Sequence, residues 1–363
     1  MKNIIKLALV MLCSASISFS TANSGELTVT GSAKASYVIL SSESASSALE
    51  NGPGLGVSNE FTLSASGELD NGYTWKWFAD IDGATTQDDG GMSLTTPYGA
   101  LAMNVSDGGL ELSKAAAITA TGDRGSDSAF DEGMAEEYSI GSMANIQYHT
   151  PADLLPYGIA VKVAYAPNTT KTANASKNAT GSSDDGGFTD AASTGAVFSA
   201  TGQNDNIGSS MTQYQVKAAP IDGLAIGASY SEYDVDARAA QKPEAGSVYA
   251  KYATGPFTVG VGLMRLSLAT RDNVNTYEKV ANEKFGASFA VNEDITVSFS
   301  EERSEASTMV PGSTDVELSV QQIAAAYTMG GMTLALSQNQ YENVAYTKDK
   351  DAKSTVFNLS MAF

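Results

Sequence analysis

The residues of this chain that could do chemistry are nearly all carboxylates. Between positions 106 and 143 stand Asp107, Glu111, Asp123, Asp127, Asp131, Glu132, Glu136 and Glu137, against only Lys114 and Arg124. Such a run either solvates a face or, held in a confined aqueous space, attracts cations and repels anions. Catalysis is poorly provided for. The single histidine, His149, lies in Tyr148-His149-Thr150-Pro151 with no neighbouring nucleophile or acid pair, and reads as a hydrogen-bonded residue beside a turn. Gly52-Pro53-Gly54-Leu55-Gly56 is followed by neither a lysine nor a helical pattern, so it is no phosphate loop. Asp88 with Asp89, Asp184 with Asp185, and Asp349 with Asp351 could hold calcium through carboxylate oxygens. The nearest calcium-loop pattern, Asp80-Ile81-Asp82-Gly83, breaks at Ala84. We therefore expect no enzyme, no cofactor and at most a structural calcium ion in the acidic loops.

The composition narrows the classes further. With 41 acids against 21 bases the chain lacks the basic face that phosphate neutralisation requires, which excludes a nucleic-acid binder. Apart from a short N-terminal stretch, no apolar run is long enough to cross a bilayer as a helix. That stretch reads as an export signal over residues 1–22: Lys2 and Lys6, an apolar core from Leu7 to Leu12, and a small-residue site at Ser20-Thr21-Ala22. Its removal takes away the only cysteine, Cys13, and leaves 19 bases against 41 acids, a formal charge of −22. An exported chain without cysteine has no disulfide framework. Its stability must come from hydrogen-bonded architecture.

The elements that would carry the charges show a period of two. Leu27, Val29, Ala33, Ala35, Tyr37 and Ile39 share one parity, and Thr28, Thr30, Ser32, Lys34 and Ser36 the other. The same alternation recurs through Trp75-Trp77-Ala79-Ile81, Val161-Val163-Tyr165, Val259-Val261-Leu263 and Phe357-Leu359-Met361-Phe363. Hairpin-type turns are expected at 70–72, 97–99, 151–157, 220–223, 253–256, 291–294 and 330–331. Long polar connections are expected at about 41–56, 83–90, 106–143, 167–210, 234–245, 269–281, 303–318 and 342–353. Seven turns and eight loops join sixteen strands. Short connections at one end, long ones at the other and an even strand number predict an all-β chain, a closed antiparallel transmembrane barrel, because no backbone group can be left unpaired in hydrocarbon. A soluble sandwich would also alternate, but it has no reason to confine its charges to one parity. Here Lys34, Lys76, Lys162, Lys217, Lys251 and Lys284 all oppose the apolar face, as do Glu60, Glu68, Asp80 and Glu302, which places them in a water-filled lumen. Arg265 and Glu232 break the rule, both at expected loop ends.

Four features together resemble the Gram-negative general-diffusion porins, particularly the 16-stranded alphaproteobacterial type. They are the export signal followed by Glu26-Leu27-Thr28-Val29-Thr30-Gly31-Ser32-Ala33, the Thr96-Pro97-Tyr98-Gly99-Ala100-Leu101 hairpin, the long third loop, and the last strand from Thr355 to Phe363. The resemblance implies a barrel over 23–363 with short periplasmic turns, long extracellular loops and a third loop, about 106–143, folded into the lumen. It implies a homotrimer in the outer membrane, contacts with lipid and lipopolysaccharide, and recognition of Phe357, Leu359, Met361 and Phe363 by the barrel-assembly machinery. The pore constriction would then be lined by Asp123, Asp127, Asp131, Glu132, Glu136 and Glu137, facing the lumenal lysines. The expected function is passive diffusion of small hydrophilic solutes and ions with a preference for cations. A substrate-selective channel and a barrel-anchored structural or adhesive surface protein are the alternatives.

Overall fold

The computed structural model describes residues 26–42, 52–82, 89–127, 133–167, 210–234, 241–268, 277–308 and 312–362. They form sixteen strands: β1 Glu26–Ser42, β2 Gly52–Glu68, β3 Thr74–Asp82, β4 Gly90–Thr96, β5 Gly99–Val105, β6 Asn145–His149, β7 Ala160–Ala166 and β8 Met211–Ile221, then β9 Leu224–Tyr233, β10 Glu244–Thr254, β11 Phe257–Ser267, β12 Tyr277–Ala290, β13 Ile295–Thr308, β14 Val316–Met329, β15 Met332–Glu342 and β16 Ala352–Ala362. Each strand pairs antiparallel with its sequence neighbours, and β16 pairs with β1, Tyr37 standing opposite Phe357, so the sheet closes without an edge. The export segment and Phe363 lie outside the described residues.

The alternation that defines the strands survives the whole circuit. Lys34 pairs with Ser360, Lys76 with Ser93, Gln147 with Ala164, Ser229 with Ser247, Asn282 with Ser304 and Asn339 with Ser354, one inward parity passed from strand to strand. Outward go Leu27, Val29, Val259, Val261, Leu334, Phe357 and Leu359, all exposed. In water that surface would drive aggregation; against lipid it is the expected solution. Outward aromatics stand beside one another across strands, Phe257 with Phe289 at 4.8 Å and Tyr37 with Phe357 at 6.4 Å between ring centres.

All seven expected turns join consecutive strands. Gly223 and Gly72 take φ of +76° and +79°, the left-handed region that hairpin turns need and that glycine enters without a Cβ penalty. The long connections are shorter than expected at three places, because β2 begins at Gly52, β12 at Tyr277, and β13 runs on to Thr308. On β13 the apolar signal stops at Phe299, but Glu301, Arg303 and Glu305 continue outward while the backbone remains paired. Pairing follows the backbone, whereas the alternation reports only the part of a strand that meets hydrocarbon. Glu232 and Arg265 do face outward, close to the loop ends of β9 and β11. No register shift accompanies either: Glu232 takes an ion pair from Lys242, and the Arg265 guanidinium donates to its neighbour's carbonyl, Met264 O.

Candidate functional site in the barrel lumen

Between β5 and β6 the third loop leaves the wall and folds into the lumen in two legs. The outgoing leg, 107–123, crosses the inner face of β8 to β16. Gln215 Nε2 donates to Leu110 O at 2.9 Å, Leu112 N donates to Ser229 Oγ at 3.2 Å, and Ala120 N donates to Ser298 Oγ at 2.7 Å. Between these ties the leg lies on a glycine lane. A Cβ on Gly262 would fall 2.7 Å from Ala116 Cβ, one on Gly260 2.8 Å from Ala116 O, and one on Gly286 2.6 Å from Ile118 N. The leg reaches the first strand, where Lys34 Nζ donates to Asp123 Oδ2 at 2.6 Å and Asn358 Nδ2 donates to the same oxygen at 3.2 Å.

The returning leg, described over 124–127 and 133–143, runs back over the same wall nearer the loop end. Tyr341 OH donates to Gly125 O at 3.0 Å, Ala135 N to Tyr346 OH at 3.0 Å, and Asn282 Nδ2 to Ala135 O at 2.6 Å. Leu110, Met134, Tyr138, Ile140 and Met143 join Met211, Tyr233, Met264, Leu266 and Leu318 in an apolar core inside the barrel. Gln213 clamps both legs: its Oε1 accepts from Leu110 N and Ile140 N, each at 3.1 Å, and its Nε2 donates to Tyr138 O. A loop buried in this way holds its position.

Charge in the loop is largely matched. Arg124, 5% exposed, donates to Asp127 and Glu136 at 2.5 Å and to Glu302 on β13 at 3.1 Å. Lys114 reaches Glu136 at 2.9 Å, and the buried Lys284 reaches Glu302 at 2.9 Å. Three cations thus face three carboxylates. Burial disfavours the Glu136 carboxylate, but Arg124, Lys114 and Lys284 together outweigh it and hold its pKa well below the usual range. Glu137 is different, because it forms no ion pair among the described residues. Its carboxylate accepts from Ser229 Oγ at 2.6 Å, Ser247 Oγ at 2.7 Å and Leu112 N at 3.0 Å, and burial still pushes its pKa up. Burial raises Glu111 as well, with Glu137 nearby adding to the effect.

Of the six expected constriction acids, then, Asp123, Asp127 and Glu136 lie in ion pairs, Glu137 is buried against β9 and β10, and Asp131 and Glu132 lie outside the described residues. Of the lumenal lysines, Lys34 and Lys284 hold acids, whereas Lys76, Lys162, Lys217 and Lys251 face inward with no ion pair among the described residues. Phe357, Leu359 and Met361 face outward on β16. Among the acids considered for calcium, Asp351 Oδ1 accepts from Asn343 N, and no three His, Cys, Asp or Glu side chains converge among the described residues. His149 Nε2 lies 2.8 Å from Gln147 Oε1, an inward pair on β6. Sequence reasoning placed Glu302 in the lumen without its task as an anchor, and it missed Gln213 and the glycine lane. The Gly260-x-Gly262 spacing at inward parity was the available signal.

Comparison with known proteins agrees with this geometry. The sequence profile of the Gram-negative porins matches residues 8–297. Among solved structures, Salmonella typhi OmpF in complex with daunomycin superposes with a TM-score of 0.64 at 13% identity, over 93% of this chain and 98% of that one. The anion-selective porin from Comamonas acidovorans gives 0.63 at 12% identity, over 93% and 100%. OmpT of Vibrio cholerae, in its trimer form, gives 0.57 at 10% identity, over 94% and 100%. Comparison with curated protein sequences returns no match. An edgeless sixteen-stranded barrel, apolar outside and polar within, its lumen narrowed by an inward loop, places the chain in the family of Gram-negative porins, channels of the outer membrane.

Proposed function

We propose that the protein is a passive, water-filled channel for small hydrophilic solutes and ions, working as a homotrimer and preferring cations. The observation that carries this reading is the one-sided placement of the third loop. It covers the inner face of β8 to β16, ties to Lys34 on β1 and to Asn145 and Gln147 on β6, and leaves the inward residues of β2 and β3, among them Glu60, Ser64, Ser66, Lys76 and Asp80, as the wall of a polar passage. Such a wall offers hydrogen bonds and charge but no nucleophile and base in partnership, so it favours diffusion over catalysis. Cation preference is supported by the acidic excess of the chain and by Glu60 and Asp80 on the uncovered wall, since the loop acids are mostly neutralised where they lie. The V. cholerae relative in trimer form supports the trimer. Outward Phe357, Leu359 and Met361 on the closing strand suit recognition by the barrel-assembly machinery, and the charged outer rim of β12 to β14 suits lipopolysaccharide. An export signal over 1–22 fits the destination.

The test is planar-bilayer recording of the refolded protein under a potassium chloride gradient. Conductance steps in groups of three with a cation-selective reversal potential are expected. An anion-selective potential would remove the cation preference and keep the channel. An inserted barrel without conductance would remove the channel reading.

A further inference from the structure

The inward face of β6 to β10 carries a row of bases that the third loop does not use. Cross-strand register fixes its geometry. His149 stands opposite Lys162, Lys162 opposite Gln215, and Lys217 two residues further along β8 toward the turn end. A diagonal neighbour of this kind has its Cβ about 7–8 Å away. Lys217 is opposite Gly227 on β9, Gly227 opposite Tyr249 on β10, and Lys251 again two residues nearer the turn end. With strands about 4.8 Å apart and a rise of about 3.3 Å per residue, Lys217 and Lys251 lie about 12 Å apart. The bases therefore descend around the wall as a spiral.

Two further facts distinguish this spiral from ordinary lumenal charge. The inward positions of β6 to β11 include no acid, and no ion pair of Lys162, Lys217 or Lys251 exists among the described residues; the loop carboxylate that reaches this wall, Glu137, is held by Ser229 and Ser247, nearer the loop end than Lys217 and Lys251. The neighbours opposite Lys217 and Lys251 include the small Ala160 and Ala225, whereas the space over Gly227 is taken by the Tyr249 ring and by Leu112 of the outgoing leg. The bases thus sit immediately on the periplasmic side of the narrowing.

We propose that Lys162, Lys217 and Lys251, with His149 at the upper end, form an anion-binding ledge that takes solutes bearing phosphate or carboxylate groups as they leave the constriction. Uncompensated ammonium groups spaced along a water-filled wall repel one another, and a multivalent anion relieves that repulsion while accepting charge-assisted hydrogen bonds. The ledge rests on the channel reading, and its test separates the two.

Inorganic phosphate serves as the probe. Replacing chloride by phosphate on the turn side at constant ionic strength should reduce the current in a saturable manner. K162Q, K217Q and K251Q combined should weaken that saturation about tenfold or more, the equivalent of losing one charge-assisted bond, and should shift the reversal potential in a chloride gradient toward cations. Lys217 is exposed whereas Lys162 and Lys251 are half-buried, so the single variant K217Q provides the same readout at smaller amplitude should the triple variant assemble poorly. A phosphate response that survives in K217Q and in the triple variant would overturn the ledge while leaving the channel intact. A wild-type barrel that inserts without conducting would remove both.

Discussion

Two charged regions of one lumen behave in opposite ways. The third loop has the larger count of acids, yet Arg124, Lys114 and Lys284 meet Asp127, Glu136 and Glu302 at close range and leave little net field. The wall of β6 to β10 has fewer charges, all of one sign and none matched. A bare count of charges in a segment therefore overstates the field of the loop and understates that of the wall. What a permeating ion meets depends on pairing, and pairing depends on which strands the loop lies against.

Breaking the bed of the loop should have the largest effect. Gly286→Val would set a side chain against the backbone of Ile118, and the outgoing leg must lift from β12. Single-channel conductance should rise, and the loop should become open to proteolysis while the barrel stays closed; unchanged conductance would mean that the loop does not set the narrowing. Arg124→Ala should come next. It leaves Glu136, Asp127 and Glu302 without their shared guanidinium, and removal of one partner from a buried pair costs about 3–5 kcal/mol. Thermal denaturation should shift downward and cation preference should grow, with Arg124→Lys falling in between because an ammonium cannot fork to three carboxylates. A variant with wild-type selectivity would show that the matched cluster is remote from the ion path.

The smallest effect sharpens the contrast within the loop itself. Burial holds Glu137 and Glu111 above the usual glutamate range, so the docked loop binds more protons than an undocked one between the usual value and the raised one. Docking weakens as pH rises through that window and is strengthened by acidification. Current fluctuations should accordingly decrease as pH is lowered into the window, and Glu137→Gln should flatten the response. Equal pH dependence in the variant would assign the titration to other groups.

Much of the fold was legible because the solvent on each side of the sheet differs. Lipid on one face and water on the other force the alternation of Val259, Val261 and Leu263 with Gly260, Gly262 and Met264, and the turn glycines mark where it reverses. Strand ends were harder to see, since above Phe299 both faces of β13 meet polar surroundings and the period no longer reports pairing. The loop was legible as a long acidic connection and as a resemblance, but not as a set of contacts. Arg124 finds Glu302 across 178 positions of sequence, and nothing local to either residue announces the other. The inward parity of Lys34, Lys76, Lys162, Lys217, Lys251 and Lys284 was readable from the alternation, although Lys279 and Lys353 stand on the outward parity of β12 and β16, and the spiral on β6 to β10 emerged only from the register.

The closure of the sheet also imposes an order in time. Ala33 pairs with Met361 and Gly31 with Phe61, so the first strand has one partner nearby and the other at the far end of the chain. The third loop is in a similar position, since its bed on β8 to β16 is made entirely of residues that follow it. Neither the seam nor the loop can settle while the chain is still emerging, and contacts so distant in sequence form slowly. Until the last strand arrives the half-built sheet has two open edges and an undocked acidic loop. The chain must therefore be kept unassembled from its first residue to its last, and its final strand is also the step that commits it.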